Sequence, residues 1–140
     1  MTETEYAEAY GTRVPKIGLG TWQLTGETCY EAVSTALDLG YRHVDTAQLY
    51  ENETAVGRAI ADADVDRDEV FVTTKVKPGN ARHDDVLEST EASLERVGMD
   101  YVDLLLLHWP NPLVSIGDTM DAMDRLVEEG RVENVGVSNF

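Results

Sequence analysis

Lysine is scarce in this chain: three residues, Lys16, Lys75 and Lys77, among 140. Basic residues number 11 against 27 acidic ones, a formal net charge of −16. A surface so unbalanced repels the phosphates of nucleic acid and the anionic face of a membrane, so neither is expected as a partner. Self-repulsion of this strength destabilises the compact state unless salt screens it, the pattern of a salt-adapted (halophilic), cytoplasmic protein. Cysteine is nearly absent. The single Cys29 excludes a disulfide within the chain, and on a helix it reads as a small core residue. The N-terminus, MTETEYAEAY, has no basic flank and no apolar run, so no secretory signal is read there. The longest aliphatic run, residues 104–107, is far too short to span a bilayer. No Pro/Gly/Ser linker or low-complexity tract divides the chain, so residues 1–140 read as one domain.

What is present is an alternation of short strands and helices. Residues 5–17 read as a β-hairpin turning at Gly11-Thr12, and residues 17–22, IGLGTW, as a first core strand. Cys29, Ala32, Val33, Ala36 and Leu37 recur at helical spacing and predict a helix over 27–39, stopped by Gly40. A strand follows over 41–46, then a helix over 53–62 carrying Val56, Ala59 and Ile60. Residues 70–75 are rich in β-branched types and read as a third strand. A helix over 83–97 ends near Gly98. Residues 101–108 are nearly all apolar, as in a strand buried on both faces. A helix over 116–129, with Met120, Met123, Leu126 and Val127, precedes a fifth strand over 132–138. Such alternation implies a parallel α/β sheet with right-handed crossovers. Periodicity alone leaves an open doubly wound sheet and half of a β/α barrel both standing. No GxGxxG follows the first strand, which weakens the doubly wound reading.

Asp45, Tyr50, Lys75 and His108 fall at or just beyond the C-terminal ends of predicted strands, where a parallel β/α barrel builds its active site. They supply a carboxylate, a phenol, an ammonium and an imidazole. Singly, each has an ordinary explanation: Asp45 as a turn or cap, Tyr50 as a surface aromatic, Lys75 as a solvated cation, His108 as a core histidine. Together they make a proton donor with groups to tune it. A carbonyl that accepts hydride at carbon needs a proton at oxygen. Free tyrosine, with a pKa of ~10, gives one up too reluctantly at neutral pH. A neighbouring ammonium favours the phenolate. His43 and His83 lack nearby His or Cys partners, so no metal site is expected. Arg42 reads as a salt-bridge residue of the barrel, and Glu53 as a carboxylate facing a helix dipole.

Four stretches carry a resemblance to a known family. They are YRHVDTAQLYENETAVGRAI over 41–60, VTTKV over 72–76, MDYVDLLLLHWP over 99–110 and GVSNF over 136–140. The first includes Arg42, Asp45, Thr46, Ala47, Tyr50, Asn52, Glu53, Val56, Gly57 and Ile60. In order and spacing the chain resembles the aldo-keto reductases, β/α barrels that reduce carbonyls with NAD(P)H. The resemblance implies the N-terminal half of a parallel (β/α)8 TIM-type barrel, preceded by the hairpin. Tyr50 would be the general acid, Lys75 its tuning cation and Asp45 the partner holding Lys75 charged. His108 would orient the substrate carbonyl. Gly20, Thr21 and Trp22, with Asp45, would border the nicotinamide, and Ser138 and Asn139 would bond its carboxamide. Trp22 and Trp109, with Tyr50 and His108, would wall the substrate pocket, although core packing explains either tryptophan as well. The implied cofactor is NADPH, with NADH left open, and the substrate a small aldehyde or ketone.

The family's later strands carry a glutamine and a stacking aromatic for the nicotinamide, and a basic cluster for the adenosine phosphate. This chain reaches Phe140 at the fifth strand, so these are expected to be missing and the chain alone to be weakly active or inactive. A half-barrel would expose two sheet edges and an apolar inner face, inviting self-association. The alternative reading is therefore a truncated, non-catalytic half-barrel acting only as an oligomeric or interaction module.

Overall fold

The computed structural model describes residues 3–140. It begins with an antiparallel hairpin, β1 (Tyr6–Ala9) and β2 (Thr12–Pro15). Ala9 faces Thr12, so only Tyr10 and Gly11 form the turn. Both have positive φ, 49° and 79°, the geometry whose twist matches that of paired strands. The turn expected at Gly11-Thr12 therefore sits one residue earlier, because it needs left-handed backbone at two positions and Tyr10 adopts it.

Five parallel strands follow in sequence order: β3 (Leu19–Gly20), β4 (His43–Asp45), β5 (Phe71–Val76), β6 (Val102–Leu107) and β7 (Val132–Val137). Between them run α1 (Gly26–Asp38), α2 (Glu53–Asp62), α3 (His83–Val97) and α4 (Ile116–Glu128). The parallel α/β architecture expected from the alternation is what forms. The expected strand over 17–22 shrinks to Leu19–Gly20. Beyond Gly20 the chain turns out of the ladder: Thr21 N–H still reaches Asp45 O, but Leu24 N–H then closes back on Thr21 O.

Strand alternation divides β5 between two environments. Val72 and Val76 join the apolar core with Val33, Val56, Val86 and Leu94 from the helices. Thr74, on that same side, donates to Glu53 of α2. Thr73 and Lys75 point the other way, Thr73 to His43 and Lys75 to Asp45. This inner face was expected to be apolar. It is mixed instead, since His43 and Asn134 also lie on it. His43 bonds Thr73 Oγ1 and Pro15 O, while Asn134 bonds Thr12 and Asp103 O. Through Thr12 and Pro15 the hairpin is fastened under the N-terminal ends of the strands, leaving their C-terminal ends clear. Arg42, expected in a salt bridge, donates instead to the carbonyls of Leu37 and Tyr41 at the end of α1, a frequent use of arginine at a helix C-terminus. Among the described residues no helix is long and apolar enough to cross a membrane.

Candidate active site

Lys75 lies near the C-terminal end of β5 and is only 7% exposed. A buried ammonium is tolerated when its donors are all met. Lys75 Nζ donates to Asp45 Oδ2 at 2.7 Å, Thr46 O at 3.1 Å and Tyr50 Oη at 3.3 Å. Three donors meet three acceptors. Asp45 arrives on the neighbouring strand, where Gly20, Asp45 and Thr73 share one register line. Tyr50 comes from the loop after β4, where a single 3₁₀ turn, Gln48–Tyr50, is stopped by Glu51 at φ 54°. With Tyr50 Oη accepting from Lys75, the phenol keeps its own O–H to donate outward.

His108 follows β6 and continues its ladder, its N–H bonding Val76 O at 3.0 Å. Its ring meets Tyr50 edge-on, 5.7 Å between centroids, and stacks on Trp109 at 4.1 Å. Burial first, and the nearby Lys75 ammonium second, push His108 below the ordinary histidine pKa, against an opposing pull from Asp45. Burial and the ammonium both favour the neutral ring over the imidazolium. The four residues picked out by strand-end placement thus converge.

The outer positions divide. Trp22 and Trp109 are 68% and 43% exposed, so core packing does not account for either. Gly20 borders open space, where an added Cβ would meet nothing within 4 Å. Ser138 N–H extends the sheet to Leu107 O. Asn139, at φ 61°, donates from Nδ2 to His108 O and Ser138 Oγ. Asn139 Oδ1 and the Ser138 hydroxyl remain as an acceptor and a donor side by side. That set fits a primary carboxamide such as the one on nicotinamide. Thr21 lies deeper than its neighbours Gly20 and Trp22. It is fully buried and its hydroxyl donates to Asp45 O at 2.8 Å, so its side chain anchors the loop and presents nothing to a cofactor.

Two further buried groups have partners that the sequence does not show. Asn52 is 2% exposed and bonds Thr21 O, Leu24 O and the Thr46 hydroxyl. Glu53, also 2% exposed, takes Thr74 Oγ1 at 2.7 Å on one oxygen and Arg96 at 2.7 and 2.9 Å on the other. Its helix-start position was legible, its pairing with Arg96 43 residues away was not. Asn52 did carry a local signal, an asparagine immediately before a predicted helix, but the signal names a cap and not the loops it joins.

Residues 16–140 match the model of the Aldo/keto reductase family. The chain belongs to that family. An aldo-keto reductase of Mycobacterium sp. (strain KMS) is 47% identical over 131 residues, 93% of this chain and 48% of that protein. Methylglyoxal reductase DkgB of Salmonella typhi is 45% identical, over 91% of this chain and 48% of its own length. The crystal structure of Bombyx mori aldo-keto reductase in complex with NADP superposes with a TM-score of 0.92 at 33% identity, over 100% of this chain and 52% of that one. The chain thus spans about half the length of the curated relatives it matches, and its sheet and hairpin match the barrel seen in such structures.

Proposed function

We propose that this chain carries the proton-donating face of an oxidoreductase that reduces an aldehyde or ketone to an alcohol with NADPH, Tyr50 being the general acid. The observation that carries the reading is Lys75. Its three N–H groups go to Asp45, Thr46 O and Tyr50 Oη, which leaves one mobile proton at the centre of the site, on the phenol. When bound, a reduced nicotinamide supplies the hydride. Ser138 and Asn139 would hold its carboxamide. His108, neutral, donates to the substrate carbonyl oxygen and turns it toward Tyr50. As negative charge gathers on that oxygen, Tyr50 passes its proton across. The Lys75 ammonium, fixed by Asp45, stabilises the phenolate left behind. Trp22 and Trp109 supply apolar walls that suit a small carbonyl compound, the class named for the Salmonella relative. In the reverse direction Tyr50 would take the proton of an alcohol.

The test is aldehyde-dependent oxidation of NADPH, with methylglyoxal as the first substrate, by the chain supplied with the later strands of a related full-length reductase, comparing the unmutated chain with Tyr50→Phe. Loss of the phenolic proton should lower turnover by about 10²–10⁴-fold. Turnover unchanged by the substitution would remove Tyr50 from the role.

A further inference from the structure

We propose that Asn52 is a positioning residue of this site, holding the loop that carries Trp22 in place against the residues that hold Lys75 and Tyr50. For its catalytic consequence the proposal rests on the reductase reading above; for its structural claim it rests on geometry alone.

Asn52 lies two residues after Tyr50, between the left-handed turn at Glu51 and the first residue of α2. Its backbone is engaged in the helix, where Asn52 O accepts from Val56 N–H at 3.0 Å. Its side chain makes no cap bond to α2. Instead Nδ2 donates to Thr21 O at 2.8 Å and Leu24 O at 2.9 Å. Those two carbonyls bracket Trp22 and Gln23. Gln23 has φ 66°, a backbone state that a non-glycine residue keeps only where its surroundings hold it. On the other side, Asn52 Oδ1 accepts from the Thr46 hydroxyl, and Thr46 O accepts from Lys75 Nζ. One buried amide therefore links the Trp22 loop, the Tyr50 loop and the acceptor that seats the ammonium. Both of its donors and its acceptor are engaged, and no simple substitution reproduces that set. Aspartate keeps the shape and the acceptor but turns a carboxylate oxygen toward two carbonyls. Alanine loses all three bonds. Thr21 and Leu24 seat the two ends of the loop, but Trp22 itself is largely exposed, so its own side chain adds little to hold the segment between them.

The experiment labels the chain with 5-fluorotryptophan, whose two tryptophans, Trp22 and Trp109, give separate ¹⁹F resonances assigned through Trp22→Phe. Asn52→Asp, Asn52→Ala and Thr46→Val are compared, with thermal melts as a check on global folding. Thr46→Val leaves the loop bonds intact and keeps the proposal testable where an Asn52 variant fails to fold. The expected result is a shifted or broadened Trp22 line with Trp109 unmoved, largest for the Asn52 variants and smaller for Thr46→Val. In steady-state reduction of an aldehyde with NADPH by the chain supplied with the later strands of a related full-length reductase, KM for the aldehyde should rise about tenfold while kcat stays within about threefold, the mark of lost uniform binding. A purely structural role would instead lower the active fraction, dropping kcat at constant KM and moving both tryptophan lines together. That result, or an unmoved Trp22 line, would overturn the proposal. A selective Trp22 shift in a chain that reduces no aldehyde even when supplied with those later strands would count against the reductase reading and still support the hold of Asn52 on the loop.

Discussion

An ammonium has three N–H groups, and the worth of Lys75 depends on where each one goes. One holds Asp45, one a backbone carbonyl and one the phenol of Tyr50. Replacing Lys75 with methionine keeps the volume and removes the charge. Removing one partner of a buried ion pair costs about 3–5 kcal/mol in full burial, but Asp45 is a third exposed on its side chain and can turn to water, which brings the expectation down to about 1–2 kcal/mol. Lys75→Met should thus melt several degrees below the unmutated chain, while aldehyde reduction by the chain supplied with the later strands of a related full-length reductase falls by about 10²-fold or more. Paired melts and NADPH oxidation assays check both halves. His108 makes a pH prediction. Its folded-state pKa is lowered, so as pH falls the unfolded chain takes up the proton first. The stability this contributes is full above about pH 6.5 and is lost as pH falls through the lower folded value. Melts over a pH series should show the unmutated chain losing stability relative to His108→Gln below about pH 6.5. Parallel curves would mean that the imidazole is not held neutral. At this scale the four central residues were legible because each side chain's chemistry is distinctive and each follows a strand. For Thr21, sequence cannot tell a backbone that borders a pocket from a side chain buried behind it.

Element boundaries were legible where the chain marks them chemically. The helices expected over 53–62 and 83–97 form over those residues. Asn52 stands before the first, and Gly98, at φ 68°, ends the second. The first core strand is shorter than IGLGTW suggests: the segment has strand composition, but past Gly20 its carbonyls at Thr21 and Leu24 bond Asn52, 31 and 28 residues on. How closely the helices approach was not legible at all. Gly57 faces the end of α3 so tightly that a Cβ there would sit 2.0 Å from Val97 O and 2.6 Å from Val97 Cα. Backbone cannot step aside as a flexible side chain can. Gly57→Ala should therefore destabilise by about 3 kcal/mol or more, despite alanine's better helix propensity. Urea unfolding measures this directly, and a stabilised variant would show that α2 and α3 do not pack so closely. The same two helices share the Glu53–Arg96 pair. Arg96→Met would strand a buried carboxylate, which costs about 3–5 kcal/mol in full burial. Arg96 is 43% exposed on its side chain, and solvent screening of that half-open pair brings the expectation down to about 1–2 kcal/mol.

For the molecule as a whole, charge decides more than any single pair. Among the described residues, seven of the eleven lysines and arginines are ion-paired, yet most of the 27 carboxylates have no cation beside them. Salt weakens the exposed pairs, each worth little, and also screens the repulsion among the excess carboxylates. The repulsion is the larger quantity, so the melting midpoint should rise across a sodium chloride series. A flat or falling series would contradict a salt-adapted surface. The sheet ends in exposed edges at β3 and β7, and we propose that these edges can pair with a second sheet; sedimentation at high salt measures whether they do. The most direct test of the account concerns Tyr50. Aldehyde-dependent NADPH oxidation at high salt is measured for this chain alone, and for the chain supplied with the later strands of a related full-length reductase. Slight turnover is expected alone and clear turnover when complemented. Tyr50→Phe should abolish the restored activity while leaving the folded chain intact by circular dichroism. Restored turnover that survives Tyr50→Phe would contradict the claim that this phenol is the proton donor.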